Sequence, residues 1–154
     1  MNGTPYARGT GGEAWLLCPG GELAAALAAF DSVLPALVLA QDEPQCARFG
    51  AAFAAAGGSA LELVPAGTPL ALALEQALVR SAGRVLCLST APLASATVAH
   101  VLGLAAGGAR VLRLDPGRAF LLRDERVGFV LRHANVGGPE REPGTRLPLW
   151  KSAP

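Results

Sequence analysis

Three short apolar runs, Ala14–Cys18, Ala36–Ala40 and Val85–Leu88, recur along the chain, with a further short strand at Ala60–Val64, each followed by turn-forming residues. Continuous rather than alternating apolarity at four or five residues marks strands buried on both faces. Between them the pattern switches to helical spacing. Pro19-Gly20-Gly21-Glu22 turns the first run into a helix reaching about Phe30, and Asp31 and Pro35 punctuate before the second run. Asp42, Glu43 and Pro44 start a second helix, with Cys46, Phe49, Ala52 and Phe53 on its inner side and Gly57-Gly58 as its stop. Pro65 to Pro69 form a turn and cap, and Leu70 to Val79 the next helix.

The stretch Arg84 to Leu104, RVLCLSTAPLASATVAHVLGL, organises the rest. Val85–Leu88 ends at Ser89-Thr90-Ala91-Pro92, where Ser89 or Thr90 suits a helix N-cap and Pro92 the first turn. Leu93, Thr97, Val98, Val101 and Leu102 then recur at helical spacing until Gly103. Strands alternating with helices predict an α/β fold, a three-layer α/β/α sandwich with a mainly parallel sheet. After Gly107-Gly108 three further strands are expected, Arg110–Leu114, Arg118–Arg123 and Val127–His133, joined by Asp115-Pro116-Gly117 and Asp124-Glu125-Arg126. They would close the sheet with antiparallel edge strands. Residues 1–13 read as a flexible N-terminal segment, 14–136 as a single domain and 137–154 as an irregular tail whose Leu147, Leu149 and Trp150 are expected to dock on the body or on a second subunit.

Composition narrows the partners. Of 154 residues 51% are hydrophobic, and thirteen Lys+Arg against twelve Asp+Glu leave a net charge of +1, which favours neither nucleic acid nor an anionic membrane. Eight of the thirteen cations lie between Arg110 and Arg146. This local bias would suit an anionic ligand, but its ordinary reading is the solvated face and blunted edges of terminal strands. The opening MNGTPYARGTGGEAW lacks the apolar core of a signal peptide and the longest apolar segment, Leu23 to Ala40, is interrupted by Asp31 and Pro35, so no membrane targeting is expected. Three cysteines, Cys18, Cys46 and Cys87, read as reduced core thiols of a cytoplasmic protein.

Chemistry-bearing residues are few. The junction at Ser89-Thr90 is where an α/β sheet usually binds ligands, because backbone N–H groups and the positive helix end face outward. Cys18 ends a strand before a Gly-Gly turn, a place that favours a thiolate, but no arginine follows to close a phosphate loop. Pro19-Gly20-Gly21 lacks the dinucleotide fingerprint and the Lys-Ser/Thr of a P-loop. The two histidines read as structural, His100 in the last turn of a helix and His133 at the end of a strand. Their spacing makes no metal site, and no cofactor is expected.

The order of elements resembles the histidine phosphatase superfamily, with its phosphoglycerate-mutase-like fold. VLCLSTAPLASATVAHVLGL is similar to that family's second signature, a buried strand ending in Ser-His-Gly with a helix ending in Gly-Leu. ALVLAQDEPQCARFGAAFAAAGG resembles its strand and alanine-rich helix carrying Ser-Ser-Pro-Leu-x-Arg-Ala, PAGTPL its Pro-Gly-Gly-Glu-Ser-Leu cap, and RVLRLDPGRAFLLRDERVGFVLRHANV its closing strands, which end near an asparagine, here Asn135. The resemblance covers most of Ala14 to Asn135. It implies a phosphate pocket in which one histidine is phosphorylated, a second assists and two arginines neutralise the phosphoryl oxygens.

At the matching positions this chain has none of the four. Cys18-Pro19-Gly20 stands for Arg-His-Gly, Gln45 for the next arginine, and Ser89-Thr90-Ala91 for Ser-His-Gly. The segment between Val64 and Leu70, where active members carry a long insertion with an acidic residue, is short. Cys18, Gly20, Gln45, Ser89 and Thr90 are therefore the expected lining of a degenerate phosphate pocket for, at most, a small anionic ligand. The reading that follows is an inactive histidine-phosphatase-like binding or assembly module, able to form a homo-oligomer. The alternative is a divergent phosphatase acting on a small phosphorylated metabolite.

Overall fold

The computed structural model describes residues 6–24, 27, 35–81, 83–105 and 107–136. Six strands form one sheet: β1 (Gly12–Leu17), β2 (Leu37–Gln41), β3 (Ala60–Val64), β4 (Arg84–Leu88), β5 (Ala119–Glu125) and β6 (Gly128–Val136), in the order β3-β2-β4-β1-β5-β6. The first four run parallel. β5 pairs antiparallel with β1, Leu17 opposite Ala119, and β6 antiparallel with β5. Three α-helices stand complete among the described residues: α1 (Pro44–Gly57), α2 (Leu70–Arg80) and α3 (Ala91–Val101). Leu23, Ala24 and Leu27 are also helical; the rest of the helix expected up to Phe30 lies outside the described residues, as do 1–5 and the tail 137–154.

The alternation of side chains along each strand divides the core into two layers. Ala14, Leu16, Cys18, Leu37, Leu39, Val85, Cys87, Phe120 and Leu122 face α2 and α3, where Leu74, Leu78, Ala94 and Val98 meet them. Trp15, Leu17, Val38, Ala40, Leu86, Leu88 and Leu121 face α1, through Cys46, Phe49 and Phe53, with Leu23 and Leu27 beside it. The three-layer sandwich with its antiparallel closing strands is thus as expected.

Local chemistry sets the helix ends. The Glu43 side chain accepts the Cys46 N–H at 2.8 Å, Pro44 begins α1, and Gly58 at φ 67° ends it. Gly50 lets α1 approach the sheet, for a Cβ there would stand 2.9 Å from that of Ala40. Gly50 and Ala54 are buried on the inner side of α1, whereas Ala52, expected there, is half-exposed.

Two expectations give way. Arg110–Leu114 is not a strand: Gly108–Val111 form a 3-10 turn and Leu112 to Asp115 an irregular climb. β5 must start at the C-terminal end of β1 to pair antiparallel with it, so the chain leaving α3 has to return along the sheet first. That return is pinned to α3 by the Ser95 hydroxyl, which donates to the Leu112 carbonyl at 2.7 Å, and buries Leu114 in the core.

The N-terminal segment, read as flexible, is anchored from Tyr6. Tyr6 Oη and the Arg8 guanidinium both donate to the buried Asp124 carboxylate, Arg8 through Nε at 2.8 Å and through a second nitrogen at 2.9 Å. The Gly9 N–H adds a third donor, and Gly12 and Glu13 already belong to β1. Asp124 accordingly sits within β5, and the hairpin turn falls at Arg126-Val127 rather than at Asp124-Glu125-Arg126.

Candidate functional site

The crevice lies at the C-terminal ends of the parallel strands. The chains leaving β1 and β2 pass to the α1 face, whereas β4, which lies between them, sends α3 to the other. Such a reversal opens the cleft in which α/β sheets bind ligands. Its lining is Cys18 after β1, Gln41 at the end of β2, and Ser89-Thr90 after β4. The Ser89 N–H donates to the Leu17 carbonyl at 3.0 Å, fixing the two loops side by side.

Gln41 dominates the junction. Its side-chain oxygen Oε1 accepts the Thr90 backbone N–H at 3.0 Å and the hydroxyls of Thr90 and Ser89, each at 3.3 Å. A backbone N–H can only donate, so this contact also fixes which end of the amide is oxygen. Thr90 occupies the N-cap position of α3, but its side chain makes no capping bond. Instead the Gln41 oxygen, reaching across from β2, takes the acceptor place at the helix N-terminus.

Cys18 stands on the other side of β4. It is buried, with the Ala91 N–H of α3 facing its sulfur. Burial pushes the thiol above its ordinary range, the carboxylates of Asp115 and Glu43 push it the same way, and the Ala91 N–H only partly offsets them. A thiolate is therefore disfavoured where a nucleophile would need one. Cys46 and Cys87 are likewise raised by burial, Cys87 to about 12.

The glycine loop is turned inward. A Cβ on Gly20 would collide with Pro116, and the Cys18 backbone is closed by Gly117 N–H to its carbonyl at 2.8 Å and by its own N–H to the Arg118 carbonyl at 3.0 Å. Gly20 thus serves packing against the Asp115–Gly117 turn. That turn is itself held by Asn135, whose Oδ1 accepts the Asp115 N–H at 2.8 Å and whose Nδ2 donates to the Asp115 carboxylate at 3.0 Å. Asn135 adopts φ 57°, a left-handed conformation asparagine tolerates. The Asn135 and Arg113 contacts hold the Asp115 carboxyl below its usual range.

Of the five residues expected to line the pocket, the structure brings Cys18, Ser89 and Thr90 to one crevice. Gly20 stands at its edge, and Gln45 is exposed on the first turn of α1, outside the Gln41–Thr90 contacts. Among the described residues, no Arg, Lys or His side chain hydrogen-bonds or ion-pairs with Cys18, Gln41, Ser89 or Thr90. The cations of the closing strands are engaged elsewhere: Arg118 donates to the Asn135 carbonyl, Arg113 pairs with Asp115, and Arg123 and Arg132 with Glu125. His100 is exposed in the last turn of α3, ten residues beyond Thr90 and so about 15 Å along the helix. His133 is half-buried on β6, where burial and Arg132 lower its pKa. No group of three or more His, Cys, Asp or Glu among the described residues is placed to hold a metal ion. None of the helices there is long and apolar enough to cross a membrane.

Gln41 was not among the expected lining residues. Its signal was positional: it is the last residue of a parallel strand, the place from which side chains enter such a crevice.

No protein-family model and no curated protein matches the sequence. Solved structures do match. An α-ribazole phosphatase from Shigella flexneri superposes with a TM-score of 0.66 at 13% identity over 80% of this chain and 96% of its own. Mycobacterial hydrolase 1 gives 0.62 at 12% identity over 83% of this chain and all of its own. A protein of Agrobacterium tumefaciens described as the phosphohistidine phosphatase SixA gives 0.52 at 16% identity, over 79% and 96% of the two chains. The chain has the fold of the histidine phosphatase superfamily.

Proposed function

We propose that this chain is a catalytically inactive histidine-phosphatase-like protein whose fold serves as a binding or assembly module. The observation that carries this reading is the acceptor place at the N-terminus of α3, filled by the Gln41 carboxamide oxygen. Phosphoryl transfer on this scaffold needs a nucleophile, a proton donor and cations around the phosphoryl oxygens. The crevice offers a buried thiol of raised pKa, a Thr90 hydroxyl that donates to Gln41, a Ser89 hydroxyl shared between Gln41 and the Thr90 carbonyl, and the nearby carboxylates Asp115 and Glu43. Negative charge beside the crevice opposes a phosphate rather than drawing it in. Any ligand taken there is a small, weakly charged molecule that offers an acceptor oxygen in place of that of Gln41.

Three free, buried cysteines fit a reducing cytoplasm, which we propose as the compartment. The competing reading is a divergent phosphatase acting on a small phosphorylated metabolite, for which Cys18 is the nucleophile to test. Incubation with aryl, sugar and nucleotide phosphates followed by intact-mass measurement separates the two. The inactive reading expects the unmodified mass throughout. A phosphoryl adduct absent from a Cys18→Ser variant would establish thiol chemistry instead.

A further inference from the structure

Away from the strand ends, the outer face of α2 carries a groove of about 450 Å³ lined by Arg8, Leu72, Glu75, Gln76, Val79 and Arg80. Leu72 and Val79 are 47% and 42% exposed, large for apolar side chains on one face of a helix only 11 residues long. The flanking charges are already matched within the chain. Arg8 is held by Asp124 and lies 3.4 Å from Glu75, and Arg80 reaches Glu62 with two nitrogens, one at 2.9 Å. Covering the groove therefore strands no guanidinium without a carboxylate.

Its pattern also points to what covers it. Leu72, Glu75, Gln76 and Val79 are spaced i, i+3, i+4 and i+7 and so share one stripe. Read backwards the stripe is apolar, amide, carboxylate, apolar, the complement of itself. When two copies of α2 lie antiparallel about a two-fold axis, Leu72 faces Val79 of the second copy and Gln76 faces Glu75 of the second copy. The interface then holds two amide-to-carboxylate hydrogen bonds, one in each direction. A self-complementary patch is what an isologous two-fold interface requires.

We propose that this chain forms a two-fold homodimer through α2, in the register that pairs Leu72 with Val79. α2 is about 16 Å long, so the contact belongs to the small interfaces below roughly 1,200 Å² that associate weakly and reversibly. The inference is independent of the strand-end crevice.

Sedimentation equilibrium of the full chain from low micromolar to near-millimolar concentration tests it. The expected result is a mass rising from monomer toward dimer, with Val79→Glu weakening association by about tenfold or more because it buries an unpaired charge. Val79 is exposed in the monomer, so far-UV circular dichroism of the variant should remain that of the parent. The register has its own test. Gln76→Cys lies beside the axis and should form a disulfide-linked dimer under mild oxidation, whereas Leu72→Cys alone should not; the native thiols are all buried and do not compete. A monomer at every concentration, a dimer indifferent to Val79→Glu, or failure of Gln76→Cys to cross-link would each overturn the proposal.

Discussion

The side-chain oxygen of Gln41 accepts the backbone N–H of Thr90 at 3.0 Å, so that the last residue of β2 caps a helix that begins after β4. Thr90 could have capped α3 through its own hydroxyl; it points that hydroxyl at the same Gln41 oxygen instead. One acceptor thereby takes both donors of Thr90, shares the Ser89 hydroxyl with the Thr90 carbonyl, and ties two neighbouring strand ends together.

Truncating it should be costly for a half-exposed residue. Gln41→Ala leaves the Thr90 N–H and the Thr90 hydroxyl without their acceptor, while Ser89 keeps the Thr90 carbonyl, and is expected to destabilise by about 1–2 kcal/mol in urea unfolding. Gln41→Glu keeps the acceptor and adds a charge that the N-terminus of α3 favours, so it should lose far less. Equal losses in the two variants would show that the oxygen has no capping role.

The Asp124 cluster predicts an acid-sensitive fold. Burial alone would raise the Asp124 carboxyl, but the Arg8, Gly9 and Tyr6 hydrogen bonds outweigh it and hold the group below its usual value. A carboxyl with a folded pKa below the unfolded value of about 3.9 contributes stability above that pH and loses it as pH falls through the folded value. The thermal midpoint should therefore be level above about pH 5 and drop below about pH 4. Asp124→Asn should flatten that drop. Near neutrality Arg8→Met should cost on the order of 3 kcal/mol, since it strands a buried carboxylate, and Tyr6→Phe about 1 kcal/mol.

Thiol reactivity follows from burial. With its pKa raised, Cys18 should resist iodoacetamide at mildly alkaline pH in the folded protein and react readily once unfolded. Fast labelling of native Cys18, read by peptide mass mapping, would contradict the environment described for it.

Gly20→Ala should destabilise by about 2 kcal/mol, because its Cβ would run into Pro116 and force the two loops apart. Chemical denaturation measures this directly, and a neutral effect would mean that the loops can separate freely.

Much of this fold could be read from the chain because β1, β2 and β4 are buried on both faces. A run such as Ala36–Ala40 cannot be mistaken for a half-exposed strand, and residues like Glu43-Pro44 and Gly58 mark helix ends by local chemistry alone. Arg110–Leu114 misled for the opposite reason. Its branched and apolar residues between two arginines mimic a strand, yet what decides its conformation is the need to return to the far end of β1, a requirement of topology. The anchoring of Tyr6 and Arg8 was invisible because their partner Asp124 lies more than a hundred residues away. At the strand ends Cys18, Ser89 and Thr90 lie close together, but the sequence could not show that Gln41 rather than Gln45 turns toward Ser89 and Thr90, since that depends on where β2 ends relative to β4.

The proposed loss of phosphatase chemistry is tested by hydrolysis of a generic aryl phosphate and a panel of sugar and nucleotide phosphates, with Cys18→Ser run alongside. No turnover above background by either protein is expected. Turnover by the parent that Cys18→Ser abolishes would contradict it, and would mean that a thiol has taken over the work of the missing histidine.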